Sequence, residues 1–330
     1  MIYNNKIWIK YNMLSIKHEI IRHKYYESIY DVFIQYIKSL YQQNSSKINN
    51  ERIFGTFLST LYFNENIDDN DTFIIIEQYF HHYNIKNTNI IDKNFITNWN
   101  NTTQKYLSLL QNTSIEYEYI NIIKNDTSVK MNNYVLLNDV YKKVYNLCIT
   151  EYEDIKNTLI YILVMRYSYF GMYNNNGQLA LDRSWKLKLK NQYNIDTELF
   201  ASPFNVYYKN YYSIFPDLEK LFGSLGRFNY VKNLQNKYYF TNPPFEEEIM
   251  YKASLKYINF MKNNNSKFIT TIPVWSKKRD FSDYKALYIL KKYIKKMKIF
   301  NRHSIPYYNY TTLKRAYVSD TYFILLEYKK

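Results

Sequence analysis

Two consecutive prolines, Pro243 and Pro244, separate a short apolar run at 238–241 from the acidic stretch Glu246, Glu247 and Glu248. Proline lacks a backbone N–H and fixes φ, so the run must stop there as a strand, and Asn242 before it is held extended. Carboxylates suit the first turn of a helix, and residues 246–262 carry a helical pattern. Residues 267–274, rich in Ile, Thr and Phe, read as a strand. Residues 281–298 then read as a helix and 322–328 as a strand. Upstream, the apolar-rich run 196–200 ends at Ala201-Ser202-Pro203, where the chain must turn. Strands alternating with helices predict an α/β sheet with helices on its faces.

The first part of the chain reads differently. Ile29, Val32, Phe33, Tyr36, Ile37 and Leu40 recur at steps of three and four, one buried face of a helix. Shorter patterns occupy 54–62 and 72–80. Polar residues interrupt 94–100, and 102–110, 135–147 and 155–169 are helical in pattern. The expected organisation is a helical domain over 1–145 and a sheet domain over 146–330.

An apolar content of 46% excludes a wholly disordered chain, and 5 Gly with 6 Pro in 330 residues exclude collagen-like and linker sequences. The 41 Asn and 40 Tyr fit AT-rich coding drift into permissive positions, so the Asn runs at 174–176 and 263–265 read as loops. Cys148 is the lone cysteine, which leaves no intramolecular disulfide or thiolate cluster, and the five histidines lack ligand spacing. No metal is expected. Neither G-x-G-x-x-G nor a P-loop occurs. No secretory signal and no 18-residue apolar segment is found, so an intracellular protein without membrane partners is expected.

Lys and Arg number 44 against 29 Asp and Glu, a formal +15 that favours a polyanionic partner. Nine basic and two acidic residues lie between 277 and 298, a pattern that fits a phosphate-facing surface or a solvated helix face. Asn242-Pro243-Pro244-Phe245 falls between a strand and a helix, where open α/β sheets bind ligands. The Asn side-chain oxygen and a neighbouring backbone carbonyl form paired acceptors for an amino group, and Phe245 can stack on the attached base. No strong general base is needed if the proton leaves after the nitrogen has become cationic. A tight turn with an aromatic plug is the plain alternative.

This quartet resembles the Asn/Asp-Pro-Pro-Phe/Tyr/Trp motif of S-adenosylmethionine-dependent amino methyltransferases. More narrowly, the chain resembles the phosphorylated-CTD-interacting-factor family of cap-specific adenosine N6-methyltransferases. Leu199-Phe200-Ala201-Ser202-Pro203-Phe204-Asn205 is similar to that family's Phe-Ala-Ser-Pro-Leu-Asn signature, with Phe204 in place of Leu. Phe215-Pro216-Asp217 with Phe222-Gly223-Ser224 and Gly226 is similar to its next block, and Ile272-Pro273-x-Trp275 to the strand after the catalytic helix. Val274 stands where the family usually has Glu. The resemblance covers residues 162–330.

It implies a Rossmann-like class I methyltransferase sheet, S-adenosyl-L-methionine as cofactor, and methyl transfer to N6 of the adenosine beside the cap of mRNA. By the resemblance, Phe200, Ala201, Ser202, Pro203 and Asn205 line the cofactor pocket, and Asp217, Phe222 and Gly223 flank the adenosyl end. Asn242 and the Pro243 carbonyl hold the amine, Pro244 shapes the loop and Phe245 packs on adenine. Arg166, Arg183, Trp275, Lys277 and Lys278 are the candidates on the substrate side. No paired Trp spacing for a WW module is found, so recruitment to the polymerase tail by that route is not expected. The short length and AT-rich composition suggest a viral or plasmid-like capping system. Internal RNA or DNA adenine is the competing substrate, and a non-catalytic nucleic-acid-binding subunit the competing role.

Overall fold

The computed structural model describes residues 16–42, 93–113, 120–173, 177–274, 284–304 and 307–328. The patterns at 54–62 and 72–80 lie outside these residues. The chain divides into two compact units, Met1–Tyr119 and Ile120–Lys330.

In the first unit, α1 (Ile16–Gln42) packs against α2 (Lys93–Asn112). Ser28 and Tyr106 share a 3.0 Å hydrogen bond, and the rings of Tyr25 and Tyr106 lie 5.7 Å apart. The polar residues at 94–100 do not interrupt α2. Asn98 faces outward, and Thr102 returns its hydroxyl to the Asn98 carbonyl at 2.7 Å, so the helix loses no backbone bond to them.

The second unit opens with an antiparallel three-stranded meander, β1 (Ile122–Lys124), β2 (Ser128–Met131) and β3 (Tyr134–Leu137). The expected mainly helical stretch before 145 thus also holds three short strands. Strands of three or four residues are too short for their period to be read, and here Asn residues close the turns. Asn125 Oδ1 accepts from the Ser128 N–H at 2.7 Å, and Asn132 takes a left-handed φ of 50° between β2 and β3. Two helices follow, α3 (Asn138–Leu147) and α4 (Glu153–Tyr169), the latter buried along most of its length. Next come β4 (Leu179–Leu181), α5 (Arg183–Tyr193), β5 (Thr197–Glu198), β6 (Asn210–Tyr211) and the single turn α6 (Pro216–Glu219). They lead to β7 (Tyr238–Thr241), α7 (Glu247–Asn264), β8 (Lys267–Pro273), α8 (Lys285–Leu290) and β9 (Ile294–Phe300). The described chain ends with β10 (Tyr307–Asn309), β11 (Lys314–Ala316) and β12 (Thr321–Leu326).

The main sheet runs β6-β5-β7-β8-β12-β9. Its β6, β5, β7 and β8 are parallel, and β12 inserts antiparallel between β8 and β9. Strand order reverses between β5 and β7, since β6 lies on one side of β5 and β7 on the other. With the helical unit before it, this is the Rossmann-like class I S-adenosylmethionine-dependent methyltransferase fold. Both faces of the sheet are covered. Phe240, Ile269 and Leu325 join Leu181, Tyr208 and Tyr307 in one buried layer, while Tyr257 stacks on Phe268 at 4.8 Å in another. Double burial explains why β7 reads as a continuous apolar run without alternation.

The expected helix at 281–298 is also corrected. Among the described residues α-helix occupies Lys285–Leu290, a 3-10 turn follows at Lys291–Tyr293, and Ile294–Phe300 forms β9 at the sheet edge. Pairing with β12 overrides the local pattern. Lys295, Lys296 and Lys298 point to solvent there, charges that discourage edge-to-edge association. The strand lies beyond β8 and β12 from the β5–β7 reversal, so these lysines sit away from it.

Asparagine also ends helices. Asn194 and Asn265 are the C-caps of α5 and α7, with φ of 53° and 52°, where glycine is the usual residue. In a chain with few glycines these asparagines meet a conformational demand, beyond drift. Asn265→Gly should leave the thermal midpoint unchanged or slightly higher, whereas Asn265→Val should destabilise by about 1–2 kcal/mol. Equal midpoints for the two variants would contradict the role.

Candidate active site

The carboxyl end of β5 leads into a tight turn. Ser202 carbonyl oxygen accepts from the N–H of Asn205 (3.2 Å) and Val206 (2.9 Å). Pro203, with no N–H to satisfy, fits the first position of such a turn. Asn205 Oδ1 accepts from Ser202 N–H at 2.8 Å, so this side chain closes the turn. Ser202 Oγ donates to Gln178 Oε1 at 2.5 Å and accepts from Phe204 N–H at 3.2 Å. Phe200 is half-buried, its ring 5.5 Å from Phe228, and Ala201 is likewise partly exposed.

Behind the turn lies a fully buried ion pair, Lys186 Nζ to Glu198 Oε1 at 2.8 Å. Lys186 also donates to the Asn205 carbonyl at 3.0 Å, and Lys143 Nζ to the Phe204 carbonyl at 2.6 Å. Burial pulls Lys143 down to about 7, with the Lys186 charge adding to the effect. Burial pushes the Glu198 carboxyl up, opposed by Lys186.

After β6, the Phe215-Pro216-Asp217 segment starts α6. Glu219 is fully buried, accepting from Phe215 N–H at 2.6 Å and Tyr167 hydroxyl at 2.7 Å, yet desolvation still raises it to about 7. Arg166 is 3% exposed. Its guanidinium donates to Asp217 at 2.7 Å and lies over the Phe215 ring, which makes it a brace for an Asp217 carboxylate that remains half open to solvent. Phe222 is a core residue, its carbonyl bonded by Tyr211 hydroxyl at 2.8 Å. Gly223 ends the turn at φ +89°, a conformation that disfavours any side chain.

The carboxyl end of β7 is the proline turn. Asn242 Oδ1 accepts from Thr271 Oγ1 of β8 at 2.5 Å. Pro243 is buried, and Pro244 carbonyl accepts from Glu246 N–H at 2.7 Å. Glu246 caps α7 through Ile249 N–H at 2.9 Å. Burial raises it to about 7, with Glu248 and Glu247 adding to the shift. Phe245 is half-buried, edge-on to Tyr307 at 5.7 Å. Glu198 and Phe240 are register partners, so the Phe200–Asn205 and Asn242–Phe245 turns leave the same edge of neighbouring strands at the reversal of strand order. This is where open α/β sheets bind ligands.

The remaining candidates separate from these turns in different ways. Arg183 is exposed at the start of α5, over the Tyr207 ring at 5.6 Å. Trp275, Lys277 and Lys278 lie outside the described residues. Gln178, Lys143, Lys186, Glu198, Thr271 and Tyr307 were not legible as site residues. Only Lys186 carried a signal, a lysine three residues from Leu189 on the buried side of an otherwise exposed helix. Among the described residues no His/Cys/Asp/Glu cluster could hold a metal ion, and no helix is long and apolar enough to cross a membrane.

A family model described as the phosphorylated CTD interacting factor 1 WW domain matches residues 136–307, just over half of the chain. The chain belongs to the phosphorylated CTD interacting factor 1 family. The matched stretch runs from β3 to β10 and contains both signature turns. The chain is 32% identical over 123 residues to the mouse mRNA (2'-O-methyladenosine-N(6)-)-methyltransferase and 31% identical over 122 residues to the human one. Each alignment covers 35% of this chain and 17% of the relative.

Because Glu219 keeps its proton to about pH 7 when folded but ionises near 4.5 when unfolded, folding binds a proton across that window. Stability from this group therefore falls as pH rises from 4.5 to about 7. In matched urea melts, wild type should lose about 3 kcal/mol relative to Glu219→Gln over the window and then run parallel to it. A stability difference independent of pH would refute this.

Proposed function

We propose that the chain is an S-adenosylmethionine-dependent methyltransferase acting on N6 of adenine, with the cap-adjacent adenosine of mRNA as its address. The observation that carries this reading is the pairing of the two turns, Phe200–Asn205 and Asn242–Phe245, at the carboxyl ends of β5 and β7. Membership of the family and the likeness to the mouse and human enzymes support the chemistry. The chain spans about a sixth of those relatives' length in the alignments, so the RNA address is the finer part of the proposal.

The residues at the carboxyl edge fit the cofactor. Half-buried Phe200 and Ala201 offer an apolar wall, and the open Asp217 carboxylate, held by Arg166, can accept from ribose hydroxyls. Among the described residues nothing lies within 4 Å of where a side chain at Gly223 would begin. When bound, S-adenosylmethionine supplies the electrophilic methyl group.

The protein's own contribution is orientation. Asn242 Oδ1 and the Pro243 carbonyl accept the two hydrogens of the amine, which aims its lone pair. Phe245 supports the base, its ring fixed by Tyr307. The proton leaves after methyl transfer, when the nitrogen is cationic, so the site needs no strong base. The excess of positive charge in the chain favours an RNA or DNA substrate.

Labelled S-adenosylmethionine and matched RNAs, capped or uncapped and beginning with A or G, test the address. N6-methyladenosine from the capped A-start RNA alone is expected; transfer regardless of cap would reassign the substrate to internal or DNA adenine. Asn242→Ala should lower turnover by about 10³-fold while changing cofactor and RNA affinity less than about twofold. Retained turnover in that variant would remove Asn242 from the amine site.

A further inference from the structure

An asparagine amide has two unlike ends, an oxygen that accepts and a nitrogen that donates. Only the oxygen can receive an amine hydrogen; with the amide turned over, donor meets donor. Something must choose the end. Thr271, in the middle of β8 and fully buried, donates its hydroxyl to Asn242 Oδ1 at 2.5 Å. The oxygen has two lone pairs, so one stays open for the amine while the amide is held.

The neighbouring Thr270 is an internal contrast. It is equally buried in the same strand, yet among the described residues its hydroxyl has no hydrogen-bond partner. A hydroxyl at 271 is thus put to use where the one at 270 is not. Behind Thr271 stands Tyr307 of β10, 1% exposed, from the separate sheet formed by β4, β10 and β11. Among the described residues its hydroxyl has no hydrogen-bond partner, and its ring meets Phe245 edge-on at 5.7 Å and 78°.

We propose that Thr271 is a positioning residue that holds the Asn242 amide by its oxygen and so sets which end of it faces the target amine, while Tyr307 packs against Phe245. The role rests on the adenine-amine function proposed above.

The test compares kcat and KM in two backgrounds. In the wild-type background, Thr271→Val should lower kcat about 30-fold, with KM for RNA and cofactor affinity within about twofold. Thr271→Ser should stay within about threefold of wild type, and Thr270→Val should match it. An aspartate at 242 presents an oxygen whichever way it turns. In the Asn242→Asp background, the further loss from Thr271→Val should shrink to less than about threefold. Thermal melts check folding, and Thr271→Cys, of similar size and with a weak donor, gives the same comparison if the valine variant does not fold. Equal losses in the two backgrounds would show that Thr271 acts through packing and overturn the proposal. A wild-type enzyme that turns over and is indifferent to Thr271→Val overturns this role alone. A wild type that methylates no adenine substrate overturns the function and this role with it.

Discussion

Glu198 carries a charge into the interior at the last residue of a two-residue strand, and Lys186 answers it from α5 with no solvent at either end. A buried pair of this kind adds little net stability over an apolar pair, but removing one partner strands the other charge at about 3–5 kcal/mol. Its value here is geometric. Lys186 reaches past Glu198 to the Asn205 carbonyl, and Lys143 takes the Phe204 carbonyl beside it. So two lysines on α3 and α5 hold the back of the turn that follows β5, while Ser202 and Asn205 close it from within. A strand of two residues cannot aim a loop by its ladder alone, so the buried charges add what the short ladder lacks.

The proline turn is held by different means. Its backbone is stiffened by Pro243 and Pro244, its far end by Glu246 capping α7, and its Asn242 and Phe245 side chains by β8 and β10. One turn relies on buried charge, the other on restricted φ and hydrogen bonds to neutral groups. In the function proposed above, the first turn would line the cofactor and the second would present acceptors to the amine.

Much of the core sheet was legible locally. The expected strand at 238–241 is β7, the strand at 267–274 is β8 within one residue, and the helix at 246–262 is α7. Each is bounded by a proline, a carboxylate cluster or an Asn cap, signals that act within a few residues. The strands β1, β2 and β3, β10 and β11 were not legible, because each is three or four residues long and gains its ladder from partners elsewhere in the chain. The lysine-rich stretch failed for the same reason: β9 is a strand only because β12 lies beside it.

By itself the sequence determined where strands must stop, which turns follow them, and the family-like order of the blocks from Leu199 to Trp275, since proline geometry and helix capping are local properties. Tertiary structure decided what those residues face. Arg166, a candidate for substrate, is buried against Asp217 because α4 packs beneath α6. Thr271, one of two adjacent threonines in an apolar run, meets Asn242 because β8 is the next strand over. Lys143 and Lys186, two among 44 cations, become internal because α3 and α5 close over β5. Partnership across tens of residues depends on strand order and helix packing, and no local spacing encodes it.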